Sequence, residues 1–321
     1  MIDPLVIATR GSRLALWQAE YVAGLLRQAL AVEVRIAPVR SAGDDLPGSM
    51  ATSEAVAAAG AGLFTDAVER AVAEGRADLA VHSLKDLPTC SSEGLTVAAI
   101  PPRGPAGDVL VCPAGQTLAE LPAGAVVLSG SLRRRALLLE ARGDVQVAPV
   151  RGNVPTRLAK LDAGAGEATV LAEAGLVRLG LDGRIAERLD PEHFAPACGQ
   201  GALAIQARSD RPELLTALAA LDHAATRAAV TAERAFLAAV GAGCAAPVGA
   251  HANLAGTVLH LRALVAEVDG TAVIRRRGSA PADEADALGR QLAEEILAAG
   301  GRAIIDDLLG RTPPENRKEP R

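Results

Sequence analysis

One short unit recurs along this chain and constrains the fold more than any other feature. An apolar run without helical period leads into a turn of small residues, and a helix bearing arginine follows. Val6-Ile7-Ala8 runs into Thr9-Arg10-Gly11-Ser12. Val126-Val127-Leu128 runs into Ser129-Gly130-Ser131, which opens a helix carrying Arg133, Arg134 and Arg135. Val145 to Val150 leads into Arg151-Gly152-Asn153 and a helix holding Arg157 and Lys160, and Thr169-Val170-Leu171 precedes a helix with Arg178. Strands that alternate with helices in this way build α/β layers. The turns then gather at one sheet edge, where helix N-terminal amides and guanidinium groups attract anions.

Arg10, Arg133, Arg134, Arg151 and Arg157 stand at or just past successive strand-to-helix turns and are read as an anion site; Arg135 and Lys160 are read as ordinary solvated helix faces. Ser12 is the predicted N-cap of a long amphipathic helix, with Leu14, Leu16, Trp17, Tyr21, Leu25 and Leu26 expected on its inner face. Ser41 through Gly62 is rich in Gly, Ala and Ser with little pattern, and reads as a mobile lid. A helix over Leu63 to Glu74, capped by Gly75, comes next.

Leu79-Ala-Val-His-Ser-Leu-Lys-Asp-Leu-Pro88 is the stretch around which the rest is arranged. Its apolar start reads as a buried strand, and Pro88 closes it. His82, Ser83, Lys85 and Asp86 therefore sit where a strand leaves a sheet. Alone, that arrangement reads as a strand-to-loop exit with a solvated ion pair rather than as a site.

At 321 residues the chain has room for two or three domains. Its net charge of −5 argues against a general nucleic-acid or membrane-surface binder. No signal peptide or membrane span is evident, so the expected compartment is the cytoplasm. Cys90, Cys112, Cys198 and Cys244 are far apart and form no Cys-x-x-Cys pair, which fits free thiols and no metal site. Cys112 and Cys90 read as buried small hydrophobes. Cys244 lies in Gly241-Ala-Gly-Cys-Ala-Ala-Pro-Val-Gly249, among residues too small to bury it, and reads as an attachment point or nucleophile. The breaker cluster Pro101-Pro102-Arg103-Gly104-Pro105 marks a domain boundary, and the strand Ala202 to Ile205 is expected to return to the first domain as a hinge. Leu259 to Ile304 reads as strands with one amphipathic helix, and Thr312 to Arg321 as a disordered tail.

Six stretches together resemble the porphobilinogen deaminase (hydroxymethylbilane synthase) family over nearly the whole chain. They are Ala8-Thr-Arg-Gly-Ser-Arg-Leu-Ala-Leu-Trp17, Ala80-Val-His-Ser-Leu-Lys-Asp-Leu-Pro88, Ser129-Gly-Ser-Leu-Arg-Arg134, Arg151-Gly-Asn-Val-Pro-Thr-Arg-Leu158, Gly199-Gln-Gly-Ala202 and Gly243-Cys-Ala-Ala-Pro-Val-Gly249. The resemblance implies two periplasmic-binding-protein-like lobes with mixed sheets and a small α+β C-terminal domain. The expected division is 1–103 with 202–222, then 104–201, then 223–311, with 312–321 as the tail.

It also implies a monomer carrying dipyrromethane on Cys244 through a thioether, with no metal. Four porphobilinogen molecules are condensed head to tail into a growing oligopyrrole, and ammonia leaves each time. Asp86 matches the catalytic aspartate. The cofactor- and substrate-binding set that the resemblance implies is Thr9, Arg10, Ser12, Ser83, Lys85, Ser129, Ser131, Arg133, Arg134, Arg151, Gly152, Asn153, Arg157, Arg178 and Gln200. Gly60-Ala61-Gly62, Asp66 and Ala42 depart from the basic residues common in relatives, and Ala245 replaces a larger polar residue. A two-lobed anion-binding protein without catalysis and a cysteine-dependent transferase are the alternative readings.

Overall fold

The structure is a computed structural model that describes residues 4–39, 65–90, 92–243 and 245–310. The expected lid over 41–62, Cys244 and the tail 312–321 lie outside the described residues. Among the described residues no helix is long and apolar enough to cross a membrane.

The first sheet has five strands: β1 (Leu5–Arg10), β2 (Val34–Val39), β3 (Leu79–Ser83), β4 (Leu95–Ala99) and β10 (Leu203–Arg208), in the order β2-β1-β3-β10-β4. The second, of β5 (Asp108–Val111), β6 (Val126–Leu128), β7 (Gln146–Ala148), β8 (Ala168–Ala172) and β9 (Glu187–Arg188), has the order β7-β6-β8-β5-β9. In each sheet the three strands at one side run parallel, while the fourth strand is antiparallel to its neighbours. That fourth strand reveals the connection. The chain enters the second sheet through β5 and returns to the first through β10, so two segments join the lobes. The sequence reading placed the return strand correctly but did not identify β5, whose first residue is a buried acid.

Helix α1 (Arg13–Leu30) starts at Ser12, whose hydroxyl accepts from the Ala15 amide at 3.3 Å. Its fully buried residues are Gln18, Ala19, Val22, Ala23 and Leu26; of the expected row Tyr21 and Leu25 are partly buried against the same core, while Trp17 is exposed. Only Leu26 of that row is fully buried. The small residues let the helix lie close on the sheet, and the bulky Trp17 and Tyr21 stack along its flank instead, 5.5 Å between ring centres. Helix α2 (Asp66–Ala73) follows the undescribed segment and packs Val68, Ala71 and Val72 beneath β1 and β3. Helices α3 (Leu132–Ala141), α4 (Val154–Asp162) and α5 (Glu173–Arg178) follow strands of the second sheet, and α6 (Pro212–Leu218) follows β10.

The C-terminal domain sets α7 (Ala224–Val240) and α8 (Ala285–Ile296) against an antiparallel sheet of β11 (Val248–Ala255), β12 (Val258–Ala266) and β13 (Val273–Pro281). Phe236 is wholly buried at its centre; covering such a side chain stabilises by about 1.5–3 kcal/mol. The helices touch where Gly289 passes the Ala232 carbonyl, leaving no room for a Cβ. The expected single helix is two, because a kink at Gly300 (φ 109°) separates α8 from α9 (Arg302–Leu308).

The buried Glu233 on α7 ties this domain to the lobes. Its carboxylate pairs with Arg103 at 2.7 Å and accepts from the amides of Gly199 (2.7 Å) and Ala252 (2.8 Å). Arg103 in turn donates to the Gln200 carbonyl at 2.8 Å. Both connecting segments are thus fixed to one carboxylate. Cys112 and Cys198 are buried and outside any disulfide among the described residues, whereas Cys90 is exposed, contrary to expectation. It sits in the bend beyond Pro88.

Candidate active site

The C-terminal ends of β1 and β3 meet the N-terminus of α1. A solvent-open cleft of about 400 Å³ there is lined by Arg10, Ser12, Leu14, Ala15, Gln18, Thr65, His82, Ser83 and Asp86. Gln18 Nε2 donates to Ser83 Oγ at 2.8 Å, which fixes the hydroxyl at the strand end. Thr9, in contrast, is wholly buried and donates to the Ala15 carbonyl at 3.3 Å, so it joins helix to strand beneath the cleft. A single 3₁₀ turn, Leu84–Asp86, follows β3. It buries Leu84 and leaves Asp86 exposed. Pro88 lies just beyond and cannot extend the turn.

Lys85 reaches from the same turn toward the second lobe. Its Nζ donates to Gln200 Oε1 at 3.1 Å. Gln200 Nε2 donates to the carbonyls of Ala106 (2.7 Å) and Gly107 (3.1 Å) and to Asp108 Oδ1 (2.9 Å). Asp108, the acid that opens β5, also pairs with Arg133 and Arg134 at 2.8 and 2.7 Å. Arg133 donates further to the Ala195 carbonyl and Arg134 to that of Val170. Both arginines are almost fully buried, at 3% and 6% exposure. The sequence assigns them to an anion site; in the fold much of their hydrogen-bonding capacity is spent inside the second lobe. A buried charge persists only when paired.

The cluster is nevertheless positive: two guanidinium groups and Lys85 surround one carboxylate. Burial would raise the pKa of Asp108, but Arg133 and Arg134 outweigh it and hold the carboxyl far below the usual range. Lys85 is pushed down to about 8, first by desolvation and then by Arg134 and Arg133, against the pull of Asp86 and Asp108.

Across the cleft, Ser129 and Ser131 open α3. Ser131 caps it by accepting from the Arg134 amide (3.4 Å), and Ser129 Oγ accepts from the Ser131 amide (3.3 Å). Both hydroxyl protons remain to be donated. Asn153 caps α4, accepting from Thr156 N and Oγ1 at 3.0 and 2.9 Å. Gly152 precedes it with φ 111°, a conformation that suits glycine. Arg157 Nε donates to the Gly152 carbonyl at 2.8 Å. Burial and then Arg134 lower its pKa to about 10, while Asp86 opposes them, so Asp86 and Arg157 share one field across the gap. Arg151 lies beside them, partly buried.

Arg178 spans the lobes. It donates to the Gly201 carbonyl at 2.6 Å and lies 5.7 Å over the Trp17 ring. Burial, partly offset by Tyr21, sets its pKa near 10. Of the two cations read as solvated, Arg135 is partly buried on the Val147 carbonyl, whereas Lys160 is exposed. Sequence reasoning missed Asp108. The available signal was an acid at the head of the apolar run Asp-Val-Leu-Val111, where only a paired charge can sit.

A carboxylate-rich ligand fits this donor set: hydroxyls, amides and cations line both lips, while the acids are few and one is already paired. Two mixed sheets joined by two segments, with a cation-lined cleft and one exposed carboxylate, define a two-lobed enzyme for a polyanionic substrate. Residues 5–216 match the family described as "Porphobilinogen deaminase, dipyromethane cofactor binding domain", and residues 227–298 match "Porphobilinogen deaminase, C-terminal domain". The chain belongs to the porphobilinogen deaminase family, transferases that carry a dipyrromethane cofactor.

It is 48% identical over 303 residues to the porphobilinogen deaminase of Desulforudis audaxviator, covering 94% of this chain and 96% of that one. It is 46% identical over 310 residues to that of Chromobacterium violaceum, covering 96% and 99%. A solved TRAP periplasmic solute binding protein from Desulfovibrio salexigens is similar at 12% identity with a TM-score of 0.42, covering 95% of this chain and 80% of that one.

Proposed function

We propose that this chain joins four porphobilinogen molecules head to tail on a dipyrromethane held by Cys244, releasing ammonia at each addition and then hydroxymethylbilane by hydrolysis. The observation that carries this reading is the position of Asp86. It is an exposed carboxylate on the cleft lined by Arg10, Ser12 and Ser83, and it faces the field of Arg157.

Loss of ammonia from the aminomethyl group leaves a cation delocalised over the pyrrole. Asp86 offsets that charge near the ring nitrogen, and its oxygens can take and return the proton moved when the new bond forms. Each pyrrole brings an acetate and a propionate. Arg10, Lys85, Arg151, Arg157 and Arg178 bind these with charge-assisted hydrogen bonds, and Ser12, Ser83, Ser129 and Ser131 add neutral donors. Arg133, Arg134 and Gln200 hold the second lip in place and add to its positive potential, while Thr9, Gly152 and Asn153 set the backbone from which these groups project. When bound, the dipyrromethane supplies the nucleophilic pyrrole carbon and the covalent anchor.

The domains under this reading are 1–103 with 202–222, 104–201 and 223–311. Support comes from the two crossings, β4 to β5 and β9 to β10, and from the separate apolar cluster around Phe236. The buried Cys112 and Cys198, outside any disulfide among the described residues, support a reducing, cytoplasmic setting, and the family resemblance supports a monomer.

The intact mass of the purified protein, followed by Ehrlich's reagent, tests the proposal. An added dipyrrole lost in Cys244→Ser, together with a coloured pyrrole adduct, is expected. Asp86→Asn should keep the fold and lower kcat by about 10²- to 10⁴-fold. An unmodified protein that leaves porphobilinogen unchanged overturns it and favours an anion-binding role.

A further inference from the structure

His82 has no part in the chemistry so far, yet its ring borders the same cleft as Asp86, four residues ahead of it. Strand register fixes its surroundings. His82 pairs with Ala204 and Ala80 with Gln206, so His82 and Gln206 lie diagonally on one face of the sheet. Gln206 Nε2 donates to Glu69 Oε1 at 2.7 Å, and Glu69 Oε2 accepts from Ser92 Oγ at 3.0 Å. The amide is thereby oriented, and its oxygen is left for His82. His82 Nε2 and Gln206 Oε1 are both buried, and neither has a hydrogen bond of standard geometry among the described residues; the Gln206 side chain nevertheless holds the His82 pKa up against burial, as an accepting amide oxygen beside the ring does. An amide oxygen only accepts, so the ring nitrogen facing it carries the proton. The remaining nitrogen, Nδ1, holds the lone pair.

We propose that His82 is a further substrate-contacting residue, whose Nδ1 lone pair accepts a hydrogen bond from the protonated aminomethyl group of porphobilinogen beside Asp86. This inference rests on the proposed function. An ammonium has three N–H donors, and one carboxylate cannot take all of them in a partly desolvated cleft. The C–N bond must break with the amine still protonated, so that neutral ammonia departs with the bonding pair and the positive charge passes to the pyrrole. A strongly basic acceptor would remove that proton first. His82 does not, because burial, partly offset by Gln206, holds it neutral with a pKa near 4. The chain Ser92–Glu69–Gln206 fixes the tautomer from below, and Glu69 belongs to α2, the helix that follows residues 41–62.

Two amide variants separate the ring nitrogens: Asn places its amide near Nδ1, and Gln near Nε2. His82→Gln should fold and load the cofactor by intact mass, with KM for porphobilinogen raised by about 10- to 100-fold and kcat little changed, the loss of one hydrogen bond to a charged donor present in the bound substrate. His82→Asn should recover most of that loss. A second readout does not depend on turnover. In ¹⁵N-histidine-labelled Asp86→Asn protein, porphobilinogen should shift the His82 Nδ1 resonance, and the analogue with methyl in place of aminomethyl should not. Wild-type KM in His82→Gln, equal losses in both variants, or the same shift with both ligands would overturn the proposal. Failure of the wild-type protein to carry a dipyrrole would count against the family reaction instead, and the mass measurement distinguishes the two.

Discussion

Lys85 Nζ and Asp108 Oδ1 bond to one side chain, the amide of Gln200, at 3.1 and 2.9 Å. Lys85 belongs to the first sheet's edge and Asp108 to the first strand of the second, so this amide joins the lobes at their crossing. Arg103 and Glu233 attach the same crossing to the C-terminal domain. Movement of one lobe against the other must therefore strain or exchange these bonds, which sets the expectations below.

Gln200→Leu keeps the volume and removes both ends of the link. Lys85 and the carbonyls of Ala106 and Gly107 lose their partner, at a cost of about 1–3 kcal/mol for each group left buried and unsatisfied. The urea midpoint should fall, and kcat with it, while the cofactor mass remains.

Asp108→Asn leaves two buried guanidinium groups facing a neutral amide. Breaking a buried pair from one side costs about 3–5 kcal/mol, so this variant should be among the least stable in a denaturant series. The sign in pH follows from the depressed pKa. The carboxylate's contribution is complete above the ordinary aspartate range and fades as acid protonates the folded form, so the wild type should lose stability on acidification and Asp108→Asn should lose less of it.

Lys85 titrates near pH 8 in the folded protein and near 10.5 when unfolded. Between these values the unfolded chain binds more protons, so Lys85 makes stability rise with pH across that window. Its hold on substrate carboxylates moves in the opposite direction. KM for porphobilinogen should increase as pH passes about 8, and Lys85→Arg should flatten that rise because guanidinium stays charged.

Trp17 is the sole tryptophan and lies under Arg178. Arg178→Met should alter its emission and cost about 0.5–2 kcal/mol of contact between lobes. Emission that also changes stepwise as porphobilinogen is added would show the stack opening during chain growth; an unchanged spectrum in the variant would sever Trp17 from Arg178.

Local chemistry was legible from the chain alone. The periods of Val6–Ala8, Val126–Leu128 and Thr169–Leu171 identified strands, because period and length follow from neighbours in sequence. Ser12, Ser131 and Asn153 were placed at helix starts for the same reason, since a cap bonds to an amide three residues on. The edge position of Asp86 followed from the strand before it and the proline after it.

The partners of these groups were not legible. Arg133 and Arg134 stood in sequence as two free cations, and only the docking of β5 supplied Asp108, about 25 residues away, to hold them. On α1 the expected Leu26, Tyr21 and Leu25 do face the core, but the sheet's close approach gives the most buried positions to Ala19 and Ala23 and turns Trp17 outward toward Arg178. Sequence thus determined the elements and the kinds of groups at their ends, which depend on contacts a few bonds away. Tertiary structure decided which charges are neutralised and which remain for a ligand, because pairing depends on distances between segments far apart in the chain.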